Sequence, residues 1–168
     1  MIEVRPERPS DTAAIRDVNR VAFGGDVEAT LVDALREQAA PVVSLVADVD
    51  GQVVGHIMFS PVVLSGHDLL RIMGLAPMAV LPPMQKRGVG TALVRAGIDR
   101  CRELGCHAVV VLGHPAYYPR FGFVPASRFG IASEYAAADD AFMAMELEAG
   151  ALRRVSGTIR YHAAFPRN

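Results

Sequence analysis

One stretch of the sequence, residues 69–112, restricts the possible folds more than any other. It begins with Leu69 to Val80, which is apolar enough to form a central strand buried on both faces. A glycine-punctuated turn and a helical pattern follow, and Gly105 stands where a left-handed C-cap residue ends a helix. Ala108 to Leu112 is then a valine-rich run typical of a buried parallel strand. This order of strand, helix and strand predicts a right-handed crossover between two parallel strands.

Two further helices are predicted near the amino terminus, after a short strand at Ile2 to Arg5. Ser10-Asp11 offers an N-cap to the first helix, and Gly24-Gly25 ends it. The second helix is predicted to run from Asp26 to Gln38. Its buried stripe is expected at three residues spaced four apart, namely Val27, Leu31 and Leu35.

The other segments predict antiparallel strands. Val42 to Val49 and Gln52 to Leu64 flank Asp50-Gly51, a pair suited to the positive φ angles of a tight hairpin. Phe142 to Leu147 and Thr158 to Phe165 are predicted to complete the sheet. The predicted fold class is therefore α+β, with helices flanking a central mixed, mostly antiparallel sheet, in a single domain over residues 1–168.

The composition excludes several classes of partner. The chain has 168 residues, of which 51% are hydrophobic, and a net charge of -1, so no basic surplus indicates nucleic acid or an anionic membrane as a partner. No apolar run approaches the ~18 residues that span a bilayer, and the amino terminus lacks a signal-peptide pattern. The two cysteines form neither a disulfide framework nor a metal-binding pair, and no metal site is predicted. We expect a cytoplasmic protein with a small-molecule partner.

The turn that enters the crossover helix reads Gln85-Lys86-Arg87-Gly88-Val89-Gly90. Backbone N–H groups at a helix N-terminus point one way, toward the positive end of the helix dipole, so an anionic pyrophosphate binds well there. The two glycines let the main chain approach phosphate oxygens, and the three residues before them add donors or charge. The segment matches neither GxxxxGK[ST] nor GxGxxG, because Leu93 stands where the third glycine would be. Taken alone, the glycine pair also fits a tight helix entry.

Pro77 lies inside the apolar strand that precedes this turn. Proline cannot donate a ladder hydrogen bond, so we expect a bulge or a splayed edge at this point. Backbone groups near Met78 would then be able to pair with the amides of an extended arm such as pantetheine, as in strand addition. The alternative is that Pro77 only marks the end of a strand.

At this point a family resemblance appears. The end of this strand and the turn after it resemble the acetyl-CoA motif of the GNAT superfamily of N-acetyltransferases. The segment reads Met78-Ala79-Val80-Leu81-Pro82-Pro83-Met84-Gln85-Lys86-Arg87-Gly88-Val89-Gly90. Residues 113–123, which read GHPAYYPRFGF, and the FMAMEL strand at residues 142–147 resemble the YhbS-like branch of that superfamily. The resemblance covers nearly the whole chain. It implies a GNAT-like acyl-CoA N-acyltransferase fold, splayed at the cofactor strand, with acetyl-CoA as the acyl donor.

The resemblance also implies roles for particular residues. Tyr118 takes the position of the family's usual tyrosine. Many relatives carry an asparagine shortly before it that touches the cofactor, whereas this chain has Gly113-His114-Pro115, and His114 is the candidate substitute. Two groups of residues are implied to bind the cofactor, the first through backbone atoms against pantetheine and the second around the pyrophosphate: Met78, Ala79 and Val80; and Gln85, Lys86, Arg87, Gly88, Val89, Gly90 and Thr91.

The implied reaction is direct attack of a primary amine on the thioester in a ternary complex. Holding both reactants in one cleft supplies ~7 to 11 kcal/mol, so few reactive side chains are needed. A backbone N–H near Met78 to Val80 would polarise the thioester carbonyl. Tyr118 is predicted to be the general acid, since a phenol with a pKa of about 10 can protonate a thiolate. The general base stays open among four side chains and a water relay: Glu28, His56, His114 and Glu134. For His56, which alternates with apolar residues, a satisfied core histidine is the favoured interpretation.

Several functional alternatives remain at this level. A coenzyme A-binding regulatory module with little or no turnover would need the same loop and no base. A longer acyl donor or a hydroxyl acceptor would also be served by that loop. The acceptor is expected to be a small-molecule amine or a protein amine, and a homodimer is common among relatives of this type.

Overall fold

A computed structural model describes residues 1–166, and Arg167 and Asn168 lie outside the described residues. The chain divides into two compact units. Of the described residues, the first unit contains Met1–Ser60, Ala76–Arg100 and Ala164 to Pro166. The second unit contains Pro61–Leu75 and Cys101–Ala163. The single domain expected over residues 1–168 stays a prediction.

The described residues form three helices and nine strands. Those that begin in the first part of the chain are β1 (Ile2–Pro6), α1 (Thr12–Phe23), α2 (Val27–Gln38), β2 (Val43–Val49), β3 (Gln52–Leu64), β4 (Ile72–Val80) and α3 (Val89–Glu103). The rest are β5 (Ala108–Leu112), β6 (Val124–Pro125), β7 (Ile131–Ser133), β8 (Phe142–Glu146) and β9 (Gly157–Arg160). The mixed, mostly antiparallel sheet predicted from the sequence is confirmed, whereas the two shortest strands, β6 and β7, were not predicted.

The first unit contains the strand order β1-β2-β3-β4. β1 pairs antiparallel with β2, and β2 pairs antiparallel with β3 across the predicted Asp50-Gly51 turn. Both turn residues have positive φ angles, 52° at Asp50 and 89° at Gly51, as the hairpin prediction requires. β3 spans the predicted range, and residues 53–60 are buried on both faces. β4 is the last strand in this order, so its segment in this unit, Ala76 to Val80, forms one edge of the sheet there.

The amino-terminal helices follow the prediction with two corrections. α1 begins directly after Asp11, but the Asp11 carboxylate accepts hydrogen bonds from Arg5 Nη1 and the Arg8 backbone N–H, both at 2.7 Å, instead of capping the helix. Leu31 and Leu35 of α2 are buried as expected, whereas Val27 is 60% exposed. Val27 is the first residue of α2, and the buried stripe begins only one turn later, at Leu31.

In the second unit, β5 lies between β4 and β8. β4 and β5 run parallel from the Ile72–Ala108 pair to the Leu75–Val111 pair, which confirms the predicted parallel strands. β8 is antiparallel to β5 on its other side, and β6 is antiparallel to β8. β9 pairs parallel with β7 and antiparallel with the end of β3.

Two predicted strand boundaries in this unit are wrong. β4 begins at Ile72 instead of Leu69, because the turn before it extends to Leu70, whose N–H donates to His67 O at 3.1 Å. Leu69 is 94% exposed as a result. β9 ends at Arg160 instead of continuing to Phe165, because the next backbone N–H, that of Tyr161, donates to the Glu134 carboxylate at 2.5 Å and leaves the ladder.

Candidate functional site

The turn before α3 is shaped by two residues with positive φ angles. Lys86 has φ 62° and Gly88 has φ 85°, between a short 3-10 turn at Pro82–Met84 and the first residue of α3. A Cβ placed on Gly88 would meet no atom within 4 Å, so the space outside the main chain is open. Residues 85–88 are all exposed. The turn thus presents its backbone to solvent at the start of a 15-residue helix.

The backbone amides of this turn are not used by the protein. Within residues 1–166, no protein group accepts a hydrogen bond from the N–H of any of five consecutive residues, Lys86, Arg87, Gly88, Val89 and Gly90. Ala92 N donates to Gly88 O at 3.0 Å and closes the first turn of α3. Amides at a helix N-terminus carry the positive end of the helix dipole. A phosphate or pyrophosphate group fits this arrangement, because it brings the acceptors and the negative charge that the turn lacks.

The turn is tied to the neighbouring strands by two hydrogen bonds. The Gln85 side-chain amide donates to Val80 O at 3.0 Å, and Leu81 N donates to Val54 O at 2.9 Å. The sequence analysis assigned the Gln85 side chain to the phosphate, but in the structure one of its N–H groups holds the end of β4. Lys86 and Arg87 are exposed at the tip of the turn and supply positive charge there.

The end of β4 carries the residues that the sequence analysis assigned to pantetheine. The ladder between β4 and β5 stops at Leu75, two residues before Pro77, which has no N–H to contribute. From Ala76 onward the strand belongs to the first unit, where it is the edge. Ala79 is buried, whereas Met78 and Val80 are half-buried. An edge strand of this kind can pair through its backbone with an extended, amide-bearing ligand.

Tyr118 lies in the second unit, at the start of a 3-10 turn that ends at Phe121. The residue is 7% exposed, and its ring packs edge-on against Phe123 at a centroid distance of 5.8 Å. Gly113 lies against the same ring, since a Cβ placed there would be 2.5 Å from Tyr118 Cε2. Burial raises the pKa of Tyr118 to about 12, above the value of about 10 used in the sequence analysis. The phenol therefore keeps its proton at neutral pH and is a weaker acid toward a thiolate than a phenol with a pKa of about 10.

His56 is a satisfied core histidine, which confirms the favoured interpretation. It is fully buried in the first unit, and its ring nitrogens lie 3.3 Å from Asn19 Nδ2 and 2.9 Å from Ser44 Oγ. Burial, with a smaller contribution from the Arg36 charge, lowers the pKa of His56 to about 3. A neutral imidazole with no exposed atom cannot take a proton from a substrate that arrives from solvent, so His56 is excluded as the general base.

The other candidate bases differ in their surroundings. The Glu134 carboxylate accepts the Tyr161 backbone N–H, so it has a structural role. The His114 side chain is exposed, while its carbonyl oxygen accepts the backbone N–H groups of Tyr117 and Tyr118. Glu28 is half-buried on α2. Residues 1–166 contain no group of three or more His, Cys, Asp and Glu side chains placed to hold a metal ion, and none of their helices is long and apolar enough to cross a membrane.

The sequence analysis missed two glycines that approach these elements closely. Gly113 makes room for the Tyr118 ring, and Gly55 lies in the middle of β3 against the start of α3. A glycine inside a strand pattern indicates a close approach of another element. That signal was present at Gly55, within the run from Gln52 to Leu64, and it could have identified the position but not the neighbour.

Comparisons with known proteins identify the family of the chain. The model of the acetyltransferase (GNAT) family matches residues 12–123. The chain is 40% identical over 165 residues to the N-acetyltransferase YhbS of Escherichia coli K12, a protein described as uncharacterized, and the match covers 98% of each chain. It is 47% identical over 121 residues to the N-acetyltransferase YjhQ of the same organism, covering 69% of this chain and 66% of YjhQ.

Two solved structures extend the similarity to the whole fold. The crystal structure of Escherichia coli YhbS in complex with CoA superimposes with a TM-score of 0.91 at 39% identity, covering 99% of this chain and 92% of YhbS. A GNAT family acetyltransferase from Brucella melitensis in complex with acetyl-CoA gives a TM-score of 0.81 at 38% identity, covering 99% of both chains. The fold is the GNAT fold predicted from the sequence, and the chain belongs to the GNAT family of acetyltransferases.

Proposed function

We propose that this chain is an N-acetyltransferase that transfers an acetyl group from acetyl-CoA to a primary amine. The observation that carries the proposal is the turn from Lys86 to Gly90, whose five amides have no protein acceptor within residues 1–166 and stand at the N-terminus of α3. The CoA and acetyl-CoA complexes of the two similar structures support the choice of ligand. The turn fits the phosphate portion of the ligand, and the choice of an acetyl group as the group transferred is supported by family membership.

The cofactor-binding residues fall on two elements of the first unit. Gln85 to Thr91 would surround the pyrophosphate, with Gly88 giving the phosphate oxygens access to the main chain and Lys86 and Arg87 adding charge. The backbone of Met78 to Val80 would pair with the amides of pantetheine along the strand edge. Acetyl-CoA would supply the activated acetyl group, and coenzyme A would leave as the thiol.

The chain's own residues would contribute mainly by positioning. A backbone N–H in the segment from Met78 to Val80 would donate to the thioester oxygen as negative charge develops on it, a contribution worth about 3 kcal/mol in other enzymes. The amine nitrogen forms the new bond to the carbonyl carbon, and the carbon–sulfur bond breaks. Tyr118, which holds its proton at neutral pH, would donate it to the departing sulfur and regain one from solvent. One N–H proton of the neutral amine would leave to Glu28, His114, Glu134 or water.

A second function is favoured by the burial of His56. With that histidine excluded, the remaining candidates are the exposed His114, the half-buried Glu28 and Glu134, which already accepts the Tyr161 N–H. A coenzyme A-binding regulatory module with little turnover would need none. The cytoplasmic location and the acceptor class, a small-molecule amine or a protein amine, stay predictions beside either function.

The test separates binding from turnover. Calorimetry would measure the affinity for acetyl-CoA and CoA, and a thiol-release assay with a panel of primary amines would measure transfer. Binding together with amine-stimulated thiol release is the expected result, and Gly88→Val should lose both. Binding without stimulation by any amine would favour the regulatory module. A folded wild-type chain that binds neither acetyl-CoA nor CoA would contradict both functions.

A further inference from the structure

Gly55 lies in the part of β3 that faces α3. A Cβ placed on it would be 2.9 Å from Val89 Cγ1, 3.1 Å from Leu93 Cδ1 and 3.3 Å from Ala79 O. Carbon atoms in contact are normally 3.5 to 4.0 Å apart, so the space at Gly55 is too small for any side chain unless a neighbour moves. The hydrogen atom of this glycine therefore fixes how closely three other residues approach β3.

Two of those neighbours belong to the elements assigned above to the cofactor. Val89 is the first residue of α3 and contributes one of the amides without a protein acceptor, and Ala79 lies in the strand edge. We propose that Gly55 is a positioning residue for coenzyme A binding, which sets how closely the α3 N-terminus and the Ala79 carbonyl approach β3. The inference rests on the proposed function, because it concerns the same ligand.

The helix has little freedom to absorb an added methyl group. Val89 is 1% exposed and β-branched, so its side chain has one strongly preferred rotamer in a helix and cannot swing aside. Leu93 is fully buried one turn later. Further along α3, Gly97 lies directly against the Phe59 ring of the same strand, which holds this part of the helix in place. An added group at Gly55 would therefore displace the N-terminal end of α3 more than its middle.

β3 cannot shift away from α3 either. The next residue, His56, points to the opposite face of β3, because side chains alternate along a strand. There it is fully buried between Asn19 of α1 and Ser44 of β2, with hydrogen bonds to both. A crowded Gly55 position thus pushes against a fixed strand, and the displacement passes to Val89 and to the amides before it.

The expected effect is on affinity. To restore normal contact distances, Val89 would have to retreat by about 0.6 to 1 Å. A misplacement of ~1 Å in a binding or catalytic constellation costs up to ~100-fold. We therefore expect Gly55→Ala to raise the Kd for CoA about tenfold while the protein remains folded.

A matched control comes from Gly74 in the second unit. A Cβ placed there would be 2.9 Å from Val62 Cγ1 and 3.1 Å from Tyr161 Cε2, so Gly74→Ala creates the same crowding in a buried strand without touching a cofactor residue. Calorimetry with CoA would give the Kd of each variant, and circular dichroism would give its fold and Tm. We expect both variants to lose Tm, but only Gly55→Ala to lose affinity.

The route through Val89 is tested by a double-mutant cycle. Val89→Ala removes Cγ1, so adding Gly55→Ala in that background should raise the Kd less than twofold. A tenfold rise in that background as well would overturn the inference, as would an unchanged Kd in Gly55→Ala. Equal losses of affinity in Gly55→Ala and Gly74→Ala would overturn it too, because a general loss of stability would explain both.

An unfolded Gly55→Ala protein beside a folded Gly74→Ala protein would overturn the inference as well, because it would show that Gly55 is needed for folding instead. Failure of the wild-type chain to bind CoA would refute the proposed function itself, and this inference with it.

Discussion

The buried state of His56 predicts a measurable dependence of stability on pH. The hydrogen bonds define its tautomer. The Ser44 hydroxyl uses its single O–H to donate a hydrogen bond to the Glu7 carboxylate, which is also bound by Arg36. Ser44 Oγ therefore accepts a hydrogen bond from the His56 Nε2–H group. His56 Nδ1 then accepts from Asn19 Nδ2. This arrangement needs a neutral imidazole, because a proton on Nδ1 would face the Asn19 N–H group and the nearby Arg36 charge.

The magnitude follows from the two states of this histidine. The pKa of His56 is about 3 in the folded protein, against 6.5 for an unperturbed histidine. Between these values the unfolded chain binds one proton more than the folded one, so the free energy of unfolding falls as pH falls, by up to about 1.4 kcal/mol per pH unit. From pH 7 to pH 5 the loss comes to about 2 kcal/mol, and any folded pKa below 4 gives the same figure.

Urea denaturation at pH 7, 6 and 5 would measure this loss. His56→Gln keeps a donor for Ser44 and does not titrate, so the wild-type chain should lose about 2 kcal/mol more than this variant between pH 7 and pH 5. His67→Gln, which removes a histidine outside the network, should keep the wild-type slope. Equal slopes in the wild-type chain and His56→Gln would refute the reasoning, since His56 would then accept a proton as readily in the folded protein as in the unfolded chain.

Three substitutions test other features. Tyr118→Phe keeps the ring packing on Phe123 and removes the proposed proton donor. Steady-state kinetics should therefore show a fall in kcat of about 100-fold, with the Kd for CoA within twofold of the wild-type value. Equal losses of kcat and of affinity for CoA would make Tyr118 a scaffold residue. Gly88→Val forces a β-branched side chain to φ 85°, so calorimetry should detect no CoA binding to a protein with a native circular dichroism spectrum, and wild-type affinity would contradict the role of the turn. Asp11→Asn should lower the free energy of unfolding at pH 7 by about 1 to 3 kcal/mol in urea denaturation, because the Arg5 guanidinium loses a charged partner. The hydrogen bonds from Arg5 lower the pKa of Asp11, so this difference should be lost as pH falls through that lowered value. A difference that persists in strong acid would contradict the ion pair.

Elements whose signals are local were predicted well. The Asp50-Gly51 hairpin and the full length of β3 follow from turn chemistry and β-branched residues within the segment itself. The end of β9 was missed because it depends on a distant group. The Glu134 carboxylate takes the Tyr161 N–H, and nothing in the residues after Arg160 indicates that partner.

The candidate site divides in the same way. The position of the turn before α3 and the need for glycine at position 88 are local properties, and the sequence was sufficient to identify both. The acid strength of Tyr118 depends on how deeply its ring is buried, which the sequence does not give. Its pKa of about 12 comes from burial beneath Phe123 and Tyr117, which the sequence places nearby without giving the depth. The exclusion of His56 as a base likewise needed Asn19 and Ser44, which come from other elements.

The two glycines of the proposed cofactor region, Gly88 and Gly55, act in different ways. Gly88 acts through its own φ angle, so the residue and its effect lie in the same turn. Gly55 lies more than thirty residues earlier in the chain, outside the segment that resembles the acetyl-CoA motif, yet it limits how far Val89 and Ala79 stand from β3. In the proposed site, the amides can donate hydrogen bonds to a pyrophosphate only if the end of α3 is held at the right height above β3. That height depends on the strand beneath it, so a chain with an intact motif and a larger residue at position 55 would keep the signature and bind the cofactor poorly.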